Sequence, residues 1–132
     1  MAHVDALLIC RLAVCAFFCI CLLQSGFDKI FDWKGNLDWL TGHFSKTIFR
    51  SQVPLMLGTV ALIEVVAGFA CGIAVVTLLL HLSLLIPLIA LSLTLLNLLM
   101  LFAGQRISKD YPGAVTIASY FIVALFGVFL MQ

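Results

Sequence analysis

VPLMLGTVALIEVVAGFACGIAVVTLLLHLSLLIPLIALSLTLLNLLMLFA, residues 53–103, decides the fold. These 51 residues hold one carboxylate, Glu64, and no other charged side chain unless His81 is protonated. The stretch is too long for one core helix and too apolar for a loop in water. A membrane span needs about 20 apolar residues, so the run divides into two helices joined by a tight turn. Pro54 suits a first helical turn, which gives spans of about 53–75 and 79–103, with Pro87 bending the second. The turn near His81 is short and nearly apolar, so the two helices form an antiparallel hairpin.

Composition extends the membrane reading to the whole chain. Of 132 residues, 64% are hydrophobic and 10% charged, and the mean hydropathy is +1.25. Soluble domains carry about 25% charged residues, so there is too little polar surface here to coat a globule. The net charge of +1 points to no nucleic-acid partner. Ala6 to Phe27 supplies another span. It lacks a basic leader and a small-residue cleavage site, and is expected to be retained rather than removed as a signal. A fourth span is expected at about 114–131, opened by Pro112 and Gly113. The expected fold is an all-α, polytopic four-helix bundle forming a single domain over residues 1–132.

The one long polar segment, Asp28 to Gln52, is more than a linker. Trp33, Leu37, Leu40, Phe44 and Ile48 recur at helical spacing, and Asn36 is placed to cap the start. With Trp33 and Trp39, this predicts a short amphipathic helix in the headgroup layer. Loops one and three hold Lys29, Lys34, Lys46, Arg50, Arg106 and Lys109, against Arg11 alone near the other end. The positive-inside rule then puts both loops in the cytoplasm.

Glu64 carries the chemistry. An ionised group at mid-bilayer costs about 2.5 kcal/mol or more on insertion scales, so it needs a partner or a task. Its helix face also carries Ala61, Gly68, Cys71 and Gly72, and the Gly68/Gly72 pair lets another helix approach closely. Arg11 is the one basic residue inside a span. It lies about 8 Å from the end that helix one shares with the far end of helix two, and Glu64 about 16 Å from that end. Long side chains can close the gap, so an Arg11–Glu64 pair is expected, either fixing helix register or forming a ligand or proton site.

A second polar group gathers toward loops one and three. Asn97 and Tyr120 both fall about 9 Å below that surface, with Lys29, Arg106 and Asp110 at the mouth. These five either line a pocket or serve interhelical hydrogen bonding and lipid-phosphate contact. Tyr120 shares its face with Thr116, Ala124 and Gly127, small residues suited to close packing. His81 is expected as a turn residue and His43 as a solvated one. No two histidines fall at i, i+3 or i, i+4, so no metal site is expected. The five cysteines lie in apolar stretches without a CxxC pair and read as packing residues. No P-loop, dinucleotide fingerprint or Ser-His-Asp set is present, and no autonomous enzyme is expected.

Four motifs in order, Arg11 with SGFDKIFDW (25–33), ALIEVVAGF (61–69), GQRISKDYPGA (104–114) and Tyr120, resemble the DoxX family of small four-helix bacterial membrane proteins. Loop one, FDWKGNLDWLTGHF (31–44), is similar to that of the short DoxX-like proteins of the Bacteroidetes. The resemblance implies a bundle in the bacterial inner membrane, associated with redox or respiratory assemblies. It also implies roles for Arg11, Lys29, Glu64, Arg106, Asp110 and Tyr120. Members that handle thiols can carry cysteines near the third helix, where this chain has LFAGQRISKDY and none. On this basis the expected function is a non-catalytic membrane subunit that contributes to a quinone or lipid site, with no cofactor held by this chain alone. Membrane lipids, further membrane subunits or a second copy are its expected partners. Two other readings are a small-molecule or proton pathway through Glu64, and a structural partner that docks through the Gly68 and Gly72 face.

Overall fold

The computed structural model describes residues 5–132, and the start of the chain around His3 lies outside it. The described residues form five α-helices and no strand: α1 (Ala6–Phe31), α2 (Trp33–His43), α3 (Val53–Leu79), α4 (Leu85–Ile107) and α5 (Tyr111–Leu130). All but α2 are long and apolar enough to cross a membrane. The protein is thus an all-α, multi-pass membrane bundle. α3, at 27 residues, is about 40 Å long, which exceeds the hydrocarbon thickness of about 30 Å and leaves room for tilt.

Residue pairing fixes how α1 and α3 cross. Gly26 faces Val65, Gly68 faces Leu23 and Gly72 faces Cys19, so the helices run antiparallel with a constant register. Each glycine removes a Cβ where the neighbouring helix presses in. α4 lies against the other side of α3, and the Cys71 sulfur stands 3.6 Å from the Thr94 hydroxyl. α5 packs on α4 and closes back on α1, where a Cβ on Gly127 would lie 2.9 Å from Val14. Cys15, Phe18, Ala67, Cys71, Ala74, Leu91 and Ala124 form the centre of the core.

Several boundaries differ from expectation. α1 and α3 each run four residues further, to Phe31 and Leu79, and α4 begins only at Leu85. The turn therefore spans residues 80–84. Pro87 falls in the first turn of α4, where an amide proton would have no intrahelical partner, so it need not bend the helix. α5 starts at Tyr111 with Pro112 in its first turn. Asp32, not Asn36, is the α2 N-cap. The Asn36 amide reaches back instead to the carbonyls of Asp32 (2.8 Å) and Asp28 (3.4 Å), tying α2 to the end of α1. α2 stops at His43, and Ile48 lies in the following turns, 83% exposed.

Both tight turns use a residue in the left-handed region, His81 at φ 53° and Lys109 at φ 63°. In each, the next amide closes back on the helix: Leu82 N–H to Thr77 O at 3.0 Å, and Asp110 N–H to Gln105 O at 2.8 Å. This is the Schellman termination, in which glycine is usual. A Cβ there costs about 1–2 kcal/mol, partly offset by glycine's freedom when unfolded. His81→Gly is therefore expected to raise stability by about 0.5–1 kcal/mol in detergent unfolding.

Candidate functional site: a buried ion pair beside a laterally open cavity

Glu64 is 1% exposed and lies about 16 Å along α3 from Val53. Its partner is Lys29, whose Nζ donates to Oε2 at 3.0 Å and Oε1 at 3.3 Å. The same ammonium donates to the Ser25 hydroxyl at 2.8 Å. Side chains on a helix lean toward its N-terminus, so Lys29, in the last turn of α1, runs back along Ser25 into the bundle. Gly26 on the same turn brings the α1 backbone close to Glu64 and Val65. The three donors of the ammonium are thereby engaged.

The expected Arg11–Glu64 pair does not form. α3 extends beyond Val75, which puts Glu64 about 22 Å from the end near Arg11. Arg11 instead donates to the carbonyl oxygens of Leu130 (2.7 Å) and Gln132 (2.9 Å). A cation there satisfies carbonyls at the C-terminal end of α5 and complements its dipole. Arg11→Met is expected to cost about 1–2 kcal/mol, read by unfolding in detergent.

The second predicted group separates. Lys29 and Asp110 line one cavity. Arg106 turns outward, its guanidinium 4.8 Å from the Tyr111 ring centroid. Tyr120 packs against Phe17, with ring centroids 6.0 Å apart. Asn97 is fully buried, and neither side-chain atom has a hydrogen-bond partner in the protein. The Cys71–Thr94 register sets it level with Gly68, one turn deeper than Glu64. A buried amide without partners costs about 1–3 kcal/mol. Asn97→Leu is accordingly expected to raise the unfolding midpoint in detergent. The Gly68 and Gly72 face is covered by α1, Gly68 by Leu23 and Gly72 by Cys19.

The cavity, about 580 Å³, lies under α2 and between α3 and α4 at the loop end. Leu57, Val60, Met100 and Leu101 form its apolar wall, with Lys29 at its inner side and Glu64 behind. Trp39, Leu40, His43 and Phe44 form the roof. Leu55, Thr59, Ala103 and Ile107 line it while remaining exposed on the flanks of α3 and α4. The cavity is thus lined by exposed residues on the α3 and α4 flanks, and by exposed Trp39 in the roof. No residue of α2 is buried, so this helix lies over the cavity with little packing of its own.

His43 belongs to this roof rather than to open solvent. Its ring stacks on Trp39 at 4.5 Å, and its Nε2 stands 3.7 Å from Asp110 Oδ2, longer than a direct hydrogen bond. Asp110 also caps α5, its Oδ1 accepting from the Gly113 amide at 3.1 Å. Gln105 lies beside it, and its Oε1 has no protein partner. The sequence signal for His43 was its i, i+4 spacing from Trp39, which puts both on one face. Nothing local in the sequence pointed to Gln105. No cluster of three or more metal-ligating side chains occurs among the described residues. No protein family, curated protein or solved structure that was compared matches the chain.

Proposed function

We propose that this protein is a DoxX-like, non-catalytic subunit of a bacterial inner-membrane redox assembly, and that it holds a membrane amphiphile, quinone or lipid, under α2. The observation that carries the reading is that Leu55, Thr59, Ala103 and Ile107 line the cavity and are exposed on the flanks of α3 and α4. An apolar cavity of about 580 Å³, within the ordinary range for small-molecule sites, is reached from the lipid phase. His43, Gln105 and Asp110 form a polar end, with Lys29 at the inner side. In this reading the Lys29–Glu64 pair anchors α1 to α3 and fixes the inner wall. The end of the bundle that carries loops one and three, with six of the seven lysines and arginines, faces the cytoplasm.

A proton pathway through Glu64 is the second reading, supported by Asn97, Thr94 and Cys71 continuing the polar line inward. Beyond them Ala74, Ala90 and Leu91 are fully buried, an apolar barrier that such a path would have to cross. The test is purification in mild detergent, with identification of co-purifying proteins and extractable amphiphiles. Ala103→Trp, which puts a bulky ring in the cavity lining, is expected to lower the retained amphiphile at least tenfold while leaving the helical content unchanged. A solitary homodimer retaining neither quinone nor lipid would sink the proposal. Proton flux in liposomes abolished by Glu64→Gln, with binding intact, would favour the second reading.

A further inference from the structure

We infer that the cavity selects an uncharged amphiphile with a hydroxyl headgroup, held by Gln105, Asp110 and His43, and that it rejects anionic headgroups. This rests on the amphiphile reading above and specifies its ligand.

The polar end of the cavity is rich in acceptors. Gln105 Oε1 is buried and unpartnered, and an amide oxygen can only accept. Asp110 commits Oδ1 to the α5 cap, which leaves Oδ2 directed toward His43. His43 Nε2 is likewise buried and unpartnered. Across the 3.7 Å separating Nε2 from Oδ2, a single hydroxyl oxygen can sit about 2.8 Å from both. It donates to the carboxylate and pairs with the imidazole nitrogen, and a second hydroxyl can donate to Gln105. The three side chains come from α2, α4 and the α4–α5 turn, so one headgroup would tie the lightly packed α2 to the bundle.

The charges point the same way. Lys29 is the one lysine or arginine lining the cavity, and its ammonium is engaged by Glu64 and Ser25. Arg106 is turned to Tyr111. A phosphate or carboxylate headgroup would therefore meet the Asp110 carboxylate with no free lysine or arginine beside it. An ammonium headgroup can donate to Asp110 and Gln105 but, unlike a hydroxyl, cannot also accept from a His43 Nε2–H. The hydroxyl has two sources, an alkyl lipid alcohol and an aromatic hydroquinone.

The experiment is native mass spectrometry of the delipidated full chain in detergent, titrated separately with monoolein, decylhydroquinone, oleate and oleylamine. Monoolein or decylhydroquinone is expected to bind at least tenfold more tightly than either charged probe, and the tighter of the two identifies the source. Gln105→Met is expected to weaken that probe about tenfold, with Gln105→Glu retaining most of the binding and oleate unchanged in both. Equal binding of all four probes, or tighter binding of oleate or oleylamine, overturns the hydroxyl selection while leaving an amphiphile site in place. Binding of none overturns the site itself. Should Gln105→Met fold poorly by circular dichroism, His43→Phe provides the same comparison from α2.

Discussion

Lys29→Met, with Glu64 left in place, is expected to destabilise the bundle by about 3–5 kcal/mol, because it strands a carboxylate in an apolar interior. Glu64 is 1% exposed and takes two hydrogen bonds from the Lys29 ammonium. The reverse change, Glu64→Met, is expected to cost less, since Lys29 is 17% exposed and its flexible stem can turn toward the headgroup layer. The double variant Lys29→Met/Glu64→Met removes the charges together with their desolvation cost. It is expected to recover most of the loss, as replaced buried pairs commonly do. Reversible unfolding in detergent for the four proteins yields the coupling. If the double variant is as unstable as Lys29→Met, the pair is not what holds Glu64 in the bundle. Amphiphile retention by a stable double variant then separates roles: retained binding assigns the pair to the scaffold, lost binding to the site.

The sequence revealed the spans because lipid imposes a length and a composition that no other context demands. It also put Glu64 on the inward face, because Ala61, Gly68 and Gly72 recur with it at helical spacing. The partner of Glu64 was not legible, for a reason that lies in α1. Asp28 and Lys29 end the apolar run, and helical spacing puts Lys29 on the face of Arg11, Cys15, Phe18 and Leu22 without showing how far the helix goes. Phe27, Ile30 and Phe31 carry it on to residue 31. A lysine in the last turn also complements the helix dipole. Once on the helix, Lys29 leans inward past Ser25, whereas a loop lysine would have pointed to water. His43 and Asp110 were hidden differently. Their meeting depends on α2 folding back over α3 and α4, a tertiary arrangement to which neither segment's periodicity refers.

The α1–α3 crossing supplies the second large effect, and it shows why glycine rather than charge sets this interface. A Cβ on Gly68 would stand 2.8 Å from the Leu23 side chain and 3.0 Å from its backbone nitrogen. A side chain can rotate away, but the backbone of a neighbouring helix cannot move without shifting every contact along it. Gly68→Val is therefore expected to cost about 3 kcal/mol, the top of the overpacking range. It is also expected to weaken the ion pair one turn away by driving α1 outward from Glu64. Gly58, on the same helix, has only the edge of the Trp33 ring near its Cβ position, at 3.6 Å. Gly58→Ala is thus expected to be neutral or stabilising by up to about 1 kcal/mol through helix propensity. Unfolding midpoints of the two variants give the comparison, with Gly26→Val as an independent probe of the same crossing, its Cβ falling 2.7 Å from Val65 Cγ2. If Gly68→Val and Gly26→Val unfold like Gly58→Ala, the close approach of α1 and α3 is not what positions Lys29 over Glu64. If both lose stability and amphiphile binding together, the wall of the cavity depends on two missing methyl groups as much as on the charges they bring together.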